Sequence, residues 1–271
     1  MGATCSRSVR TSIVYCLDSG PLWEDHPHGS NRLREWIEET GYRRIIVKSD
    51  QEPAIKAVVQ SVKNSWSGEL IMEQAPKESH EKSNGLAEVT VQQVHGLART
   101  FKAQIEDKCQ IKVPQKHPVL AWLIEYAATM ITLLGKGPDG FTPIHRLKKK
   151  PWRVALPCFG ERVEFRLRTH HKLEARWMAG VYLGLRRTTS EKVVGTELKL
   201  YVVQSIRRKP ADEAWDGKLL LSTKGTPWTP NPEGDDSTEL PKPIVLQPEL
   251  PDEPTGTPDT YDKDKKCGTF I

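Results

Sequence analysis

Three features predict an α/β fold with a β-rich segment behind it and an unstructured end. First, the β-branched run Arg44-Ile45-Ile46-Val47-Lys48 fits a buried parallel strand, and Glu69-Leu70-Ile71-Met72-Glu73 fits a second, with helical periodicity between them. That is a β-α-β unit. Second, over residues 155–222 the apolar period shortens to two, in short runs separated by turn residues. Third, from Thr226-Pro227-Trp228 onward prolines and acids dominate. Such a composition buries too little apolar surface to offset chain entropy.

Taken in order, Ser12 to Leu17 reads as a strand ending at Asp18, and residues 19–30 are punctuated by Gly20, Pro21, Pro27 and Gly29. Helix begins near Asn31, with Leu33, Trp36 and Ile37 apolar and Gly41 as its C-cap. Asp50 follows the strand of residues 44–48, at the carboxyl end where open α/β sheets place ligand-binding groups. Pro53 opens a helix over Ala54 to Asn64, carrying Ile55, Val58, Val59 and Val62. Residues 75–84 are polar and irregular, and helix resumes near Gly85. There Leu86, Val89, Val94, Leu97, Phe101 and Ile105 share an apolar face, while Glu88, Gln92, His95, Arg99 and Lys102 form a polar stripe. For one helix in isolation that stripe is simply a solvated face, with Glu88 complementing the helix dipole.

A second long helix is expected over Val113 to Leu134, packed against the first, and residues 135–140 end it. Lys148-Lys149-Lys150-Pro151-Trp152-Arg153 is the sharpest positive cluster and reads three ways: a hold on phosphates, a solvated linker, or a nuclear-import run. Beyond it, Val163 to Arg168 alternates cleanly, and Gly180 to Leu185 and Leu198 to Val203 are further strands, which together suggest a small barrel.

The 271 residues suffice for one large or two small domains, and 37% apolar with 28% charged residues describes a soluble protein. No run approaches the roughly 18 apolar residues of a membrane span. The net charge of +5 understates how basic the chain is ahead of its acid-rich end. That balance is compatible with nucleic acid without demanding it. Five cysteines without Cys-x-x-Cys or His spacing read as reduced thiols of an intracellular protein, nuclear or cytoplasmic. Met1-Gly2-Ala3-Thr4-Cys5-Ser6 matches the N-myristoylation pattern, but so short a pattern matches readily by chance, and no lipid anchor at Gly2 is expected.

Lys48-Ser49-Asp50-Gln51-Glu52-Pro53-Ala54-Ile55, followed by Ser83-Asn84-Gly85-Leu86-Ala87-Glu88, resembles the second Asp and the Glu of the retroviral and retrotransposon integrase core. The family's core is an RNase H-like domain with an Asp, Asp, Glu triad. Thr142-Pro143-Ile144-His145-Arg146-Leu147 resembles the signature just beyond such cores. Trp177-x-x-Gly180-x-x-x-Gly184 with Ser205-Ile206-Arg207-Arg208 is similar to the β-rich module that follows them, an SH3-like barrel that binds DNA without sequence preference.

The resemblance implies that Asp50 and Glu88 are ligands of Mg²⁺ or Mn²⁺ for strand transfer, in which one metal activates the attacking hydroxyl and a second stabilises the leaving oxygen. It also implies DNA contacts at Gln92 and His95. Arg186, Arg187, Arg207 and Arg208, with Lys148, Lys149 and Lys150, are candidates for phosphate contact, against the plainer reading of solubilising surface residues. The first Asp is the difficulty. Family topology puts two strands and a helix between it and the second Asp, and the twelve punctuated residues 19–30 cannot form two strands of usual length. Asp18 is therefore a poor candidate, Asp25 a poorer one, and the first carboxylate reads as absent. The expected order is a poorly matched segment over 1–31, a truncated RNase H-like core over 32–147, a basic linker and small β-barrel over 148–230, and a disordered tail over 231–271. The partner expected is DNA, with a homo-oligomer left open. The reading is an integrase-core fragment that binds DNA with impaired catalysis. Its alternatives are a non-catalytic nucleic-acid-binding protein derived from a retroelement, and a scaffold that displays the Pro-rich tail.

Overall fold

The computed structural model describes residues 28–48, 53–73, 85–167 and 176–232, together with the backbone of 268–270. Asp18, Asp25, Asp50 and the Gly2 motif lie outside the described residues. The first unit runs α1 (His28–Thr40), β1 (Arg44–Lys48), α2 (Pro53–Ser65) and β2 (Glu69–Glu73). β1 and β2 pair in parallel from Arg44↔Glu69 to Lys48↔Glu73, with α2 as the crossover helix. Gly41 ends α1 at φ +71, its N–H donating to Glu38 O at 3.1 Å, as a glycine C-cap should. Ile37, Ile45, Val59, Val62 and Leu70 form this unit's core.

The other edge of β1 is paired too. β8 (Gly268–Phe270) lies parallel to it, from Ile45↔Gly268 to Val47↔Phe270, which makes β1 the central strand. The expectation of disorder through residue 271 is therefore corrected for these three residues. An average over the proline- and acid-rich end hides the short stretch that can pair.

The second unit begins with α3 (Gly85–Cys109) and α4 (Val119–Leu134), which pack on each other. α4 starts six residues later than expected, because residues 110–118 carry Pro114 and Pro118 and are held as a link. Glu106 of α3 fastens the link by accepting the Val113 N–H at 2.9 Å, and it pairs with Lys102 and Lys112. α5 (Pro143–Lys148) is capped by Thr142, whose hydroxyl accepts the His145 N–H at 3.3 Å, with Pro143 in the first turn. The Thr-Pro signature is thus a helix start.

Five antiparallel strands follow: β3 (Arg162–Arg166), β4 (Trp177–Leu185), β5 (Lys192–Gly195), β6 (Leu200–Val203) and β7 (Ile206–Arg208), in the order β6-β5-β4-β3-β7. Four form a meander, and β7 returns to the free edge of β3. Gly180 is required where β4 passes closest to its neighbours, since a Cβ there would overlap Val194 and stand 3.0 Å from Gly195 O. α6 (Gly217–Ser222), capped by Asp216, buries Leu220. Trp122 Nε1 then donates to Gly225 O at 3.0 Å, so the chain after the sheet folds back on α4. Residues 226–229, where the proline- and acid-rich composition begins, still belong to this ordered segment: the Thr226 N–H donates to Thr229 O at 3.0 Å.

Helices and sheet share one core. Tyr126 of α4 meets Phe101 of α3, Phe159, and Tyr182 of β4 at ring separations of 5.2, 5.3 and 6.2 Å. The apolar cluster runs from Val94 to Leu220 without a break at residues 147 and 148, where the sequence suggests a domain boundary. The break between cores falls instead between β2 and α3. No helix among the described residues is long and apolar enough to cross a membrane.

Candidate nucleic-acid interface

The amino-terminal half of α3 is covered on one side only. Val94 and Ala98 are buried, whereas Glu88, Gln92, His95 and Arg99 are all exposed, stepping along the helix by four, three and four residues. Val89, expected on the apolar face, is 50% exposed, and Val91 beside it is 53% exposed. Packing against α4 covers the later turns of α3 and leaves the earlier ones open.

Glu88 stands in the first turn, where the helix dipole favours a carboxylate. One carboxylate does not make a metal site, because Mg²⁺ is held by several hard oxygens in near-octahedral geometry. Among the described residues no three His, Cys, Asp or Glu side chains gather closely enough to hold an ion. Asp50, the ligand that the resemblance sets beside Glu88, lies outside the described residues.

The basic residues divide sharply by environment. Lys149 and Lys150 are exposed at the end of α5, Lys149 closing the helix at φ +56. Lys148 lies 3.7 Å from Glu39 of α1. Arg187 meets the other oxygen of Glu39 at 3.1 Å, and both side chains are nearly closed to water. Arg32, also on α1, pairs with Glu35 and with Glu125 of α4. Burial pushes the Arg32 guanidinium below its usual value; Glu35 opposes that shift, and the nearby Arg187 and Arg186 add to it.

Arg208 is bidentate to Glu161, with Nε at 2.6 Å and Nη2 at 3.0 Å. Glu161 is only 2% exposed and also accepts the Cys158 N–H at 2.9 Å. Hydrogen bonding to that carboxylate raises the Arg208 guanidinium above its usual value. Arg187 is too enclosed to reach a phosphate, whereas Arg208 stays exposed; each guanidinium faces a buried carboxylate, and leaving that acid unpaired would be costly. Arg186 is half-buried in the β4–β5 turn, where its backbone N–H donates to Glu191 O at 2.8 Å.

Arg207 is differently placed. Its Cζ sits 3.7 Å from the ring centroid of Trp177, within cation–π range. Strand register sets Arg166 opposite Trp177, and Glu164 opposite Arg207. Opposed residues and residues two apart share a face, so all four lie on one side of β4-β3-β7. Lys209 pairs with Glu164 at 2.7 Å and holds its carboxyl below the usual range. Trp177 stands out in the sequence as the head of its Trp-x-x-Gly string, whereas Arg166 belongs to no motif. Alternation in 163–166 already turned Arg166 outward, but only strand pairing brings it beside Trp177.

A scan against protein-family models finds no family that matches this chain, and a search of curated proteins finds no match either.

Proposed function

We propose that this chain is a DNA-binding protein derived from a retrotransposon-type integrase, with its strand-transfer chemistry impaired. The observation that carries the reading is the open stripe of Glu88, Gln92, His95 and Arg99 on α3, which starts at the Asn-Gly-x-Ala-Glu string. A helix that buries one side and offers Gln92, His95 and Arg99 on the other, beyond the acidic Glu88, can lie along a phosphate backbone. Two further features support it. The parallel β1-α2-β2 unit, with a third parallel strand on β1, is in keeping with part of an RNase H-like sheet. A meander whose last strand returns to the edge of its first is in keeping with an SH3-like barrel.

In this reading Asp50 and Glu88 are what remains of a Mg²⁺ or Mn²⁺ site, and binding outlasts catalysis. The same data suit a non-catalytic nucleic-acid-binding protein of retroelement origin. Both readings predict salt-dependent affinity for duplex DNA.

Fluorescence anisotropy with a labelled duplex tests this. Log affinity should fall linearly with log salt, with a slope of about −0.9 for each phosphate neutralised. Replacing Lys149 and Lys150 by Ala together should make that slope shallower by about 1 to 2. Binding that ignores salt would refute the reading. Strand transfer in Mn²⁺ should give no product; robust product that Asp50→Asn abolishes would show the chemistry to be intact.

A further inference from the structure

We propose that the outer face of β4-β3-β7 is a stacking platform for unpaired bases, with Trp177 as the ring and Arg166 and Arg207 as the flanking cations. The ligand class is a single-stranded polynucleotide. Trp177 opens a strand whose following residues become progressively buried, yet its own indole is only partly covered. What covers one side of it is not a core side chain but the guanidinium of Arg207, 3.7 Å away. A guanidinium over an indole is itself a planar cation on which a base can stack.

The charge of the face points the same way. Its one acid along β3, Glu164, is already engaged by Lys209, which also lies 3.7 Å from Glu213. Arg166 and Arg207 are exposed, and Arg162 shares the face two residues before Glu164. Among the described residues, the buried Nε of Arg162 has no acceptor. The result is a net positive strip around one aromatic ring. Three neighbouring strands span about 10 Å, room for one or two nucleotides across the strip.

Aromatic rings set in a positively charged groove are how proteins hold single strands without reading sequence, because every base has a π-face. A duplex cannot use the ring, since its bases are stacked on one another inside the helix. This face therefore separates single strands from duplex, which the exposed stripe on α3 does not.

The test uses the whole chain with labelled oligo(dT), oligo(rU) and a duplex, each followed by fluorescence anisotropy. Trp177→Ala should weaken oligo(dT) binding on the order of tenfold and leave duplex binding within about twofold. Trp177→Phe, which keeps a ring and the fold, should retain most of the affinity. Equal losses on oligo(dT) and oligo(rU) would assign the site to the base and phosphate that DNA and RNA share. A larger loss on one would assign it to what distinguishes that strand, the 2′-hydroxyl or the thymine methyl. Unchanged single-strand binding in Trp177→Ala, or an equal loss on duplex, would overturn the proposal, as would a Phe variant as weak as the Ala variant. Failure of duplex binding in the unmutated chain would refute the function proposed above and leave this platform standing.

Discussion

The two halves of the molecule are held together by different means. Around β1 the core is five side chains, Ile37, Ile45, Val59, Val62 and Leu70. From Val94 to Leu220 helices and sheet merge into one much larger cluster that joins at Tyr126. Between the halves the links are charged: Glu39 to Arg187 and Lys148, and Arg32 to Glu125. Ion pairs such as these lose strength when one partner is removed or screened. Binding surfaces that lie within the larger half have no such dependence.

The widest contrast should come from two isoleucines buried to nearly the same degree, Ile45 at 1% and Ile105 at 2%. Ile105→Ala should cost about 2–5 kcal/mol, read as a lower denaturation midpoint. Ile45→Ala should leave that midpoint nearly unchanged while amide exchange quickens across residues 28–73 alone. Exchange quickening equally in both halves would show that they unfold as one unit.

A smaller effect is expected from Arg208→Ala, which strands Glu161 in the larger core. The loss should be about 3 kcal/mol, the lower end for a broken buried pair because the Arg208 side chain is 55% exposed. Adding Glu161→Gln should recover much of it, since a neutral amide tolerates burial better than an unpaired carboxylate. No recovery in the double variant would mean that Arg208 acts through packing.

The least effect concerns acid. Hydrogen bonding from Lys102 and from the Val113 N–H, with Lys112 close by, holds the Glu106 carboxyl at about 2 against an ordinary value of 4.5. Its folded value is depressed, so the stability it contributes is present above pH 4.5 and is lost as pH falls toward about 2. Midpoints measured over that interval should fall less steeply in Glu106→Gln than in the unmutated chain. Parallel acid limbs would remove Glu106 from the account.

Much of the architecture was legible from neighbours in sequence. The β-branched strand at 44–48, the helix opened by Pro53 and the Gly41 cap sit where periodicity and turn chemistry put them. The helix expected from Val113 started late because apolar spacing continued through Pro114 and Pro118, where backbone chemistry did not. Val89 kept the helical period yet stayed exposed, because a period states which residues share a face and not whether anything covers it. The candidate site was legible as residue types: the four arginines and three lysines were all identified as basic surface.

What the sequence by itself determined was local: which segments coil or extend, where they stop, and that Glu88 heads a polar row. Those properties depend on residues within a turn or two of each other. Only the tertiary structure decided which cations remain at the surface. Arg187 is closed off against Glu39 from the other half of the chain, Arg208 stays exposed but tied to Glu161 across 47 residues, and Arg207 lies on Trp177 in the open. Charge, burial and stacking depend on distance in space, and strand pairing and helix docking set those distances after the local structure is already decided.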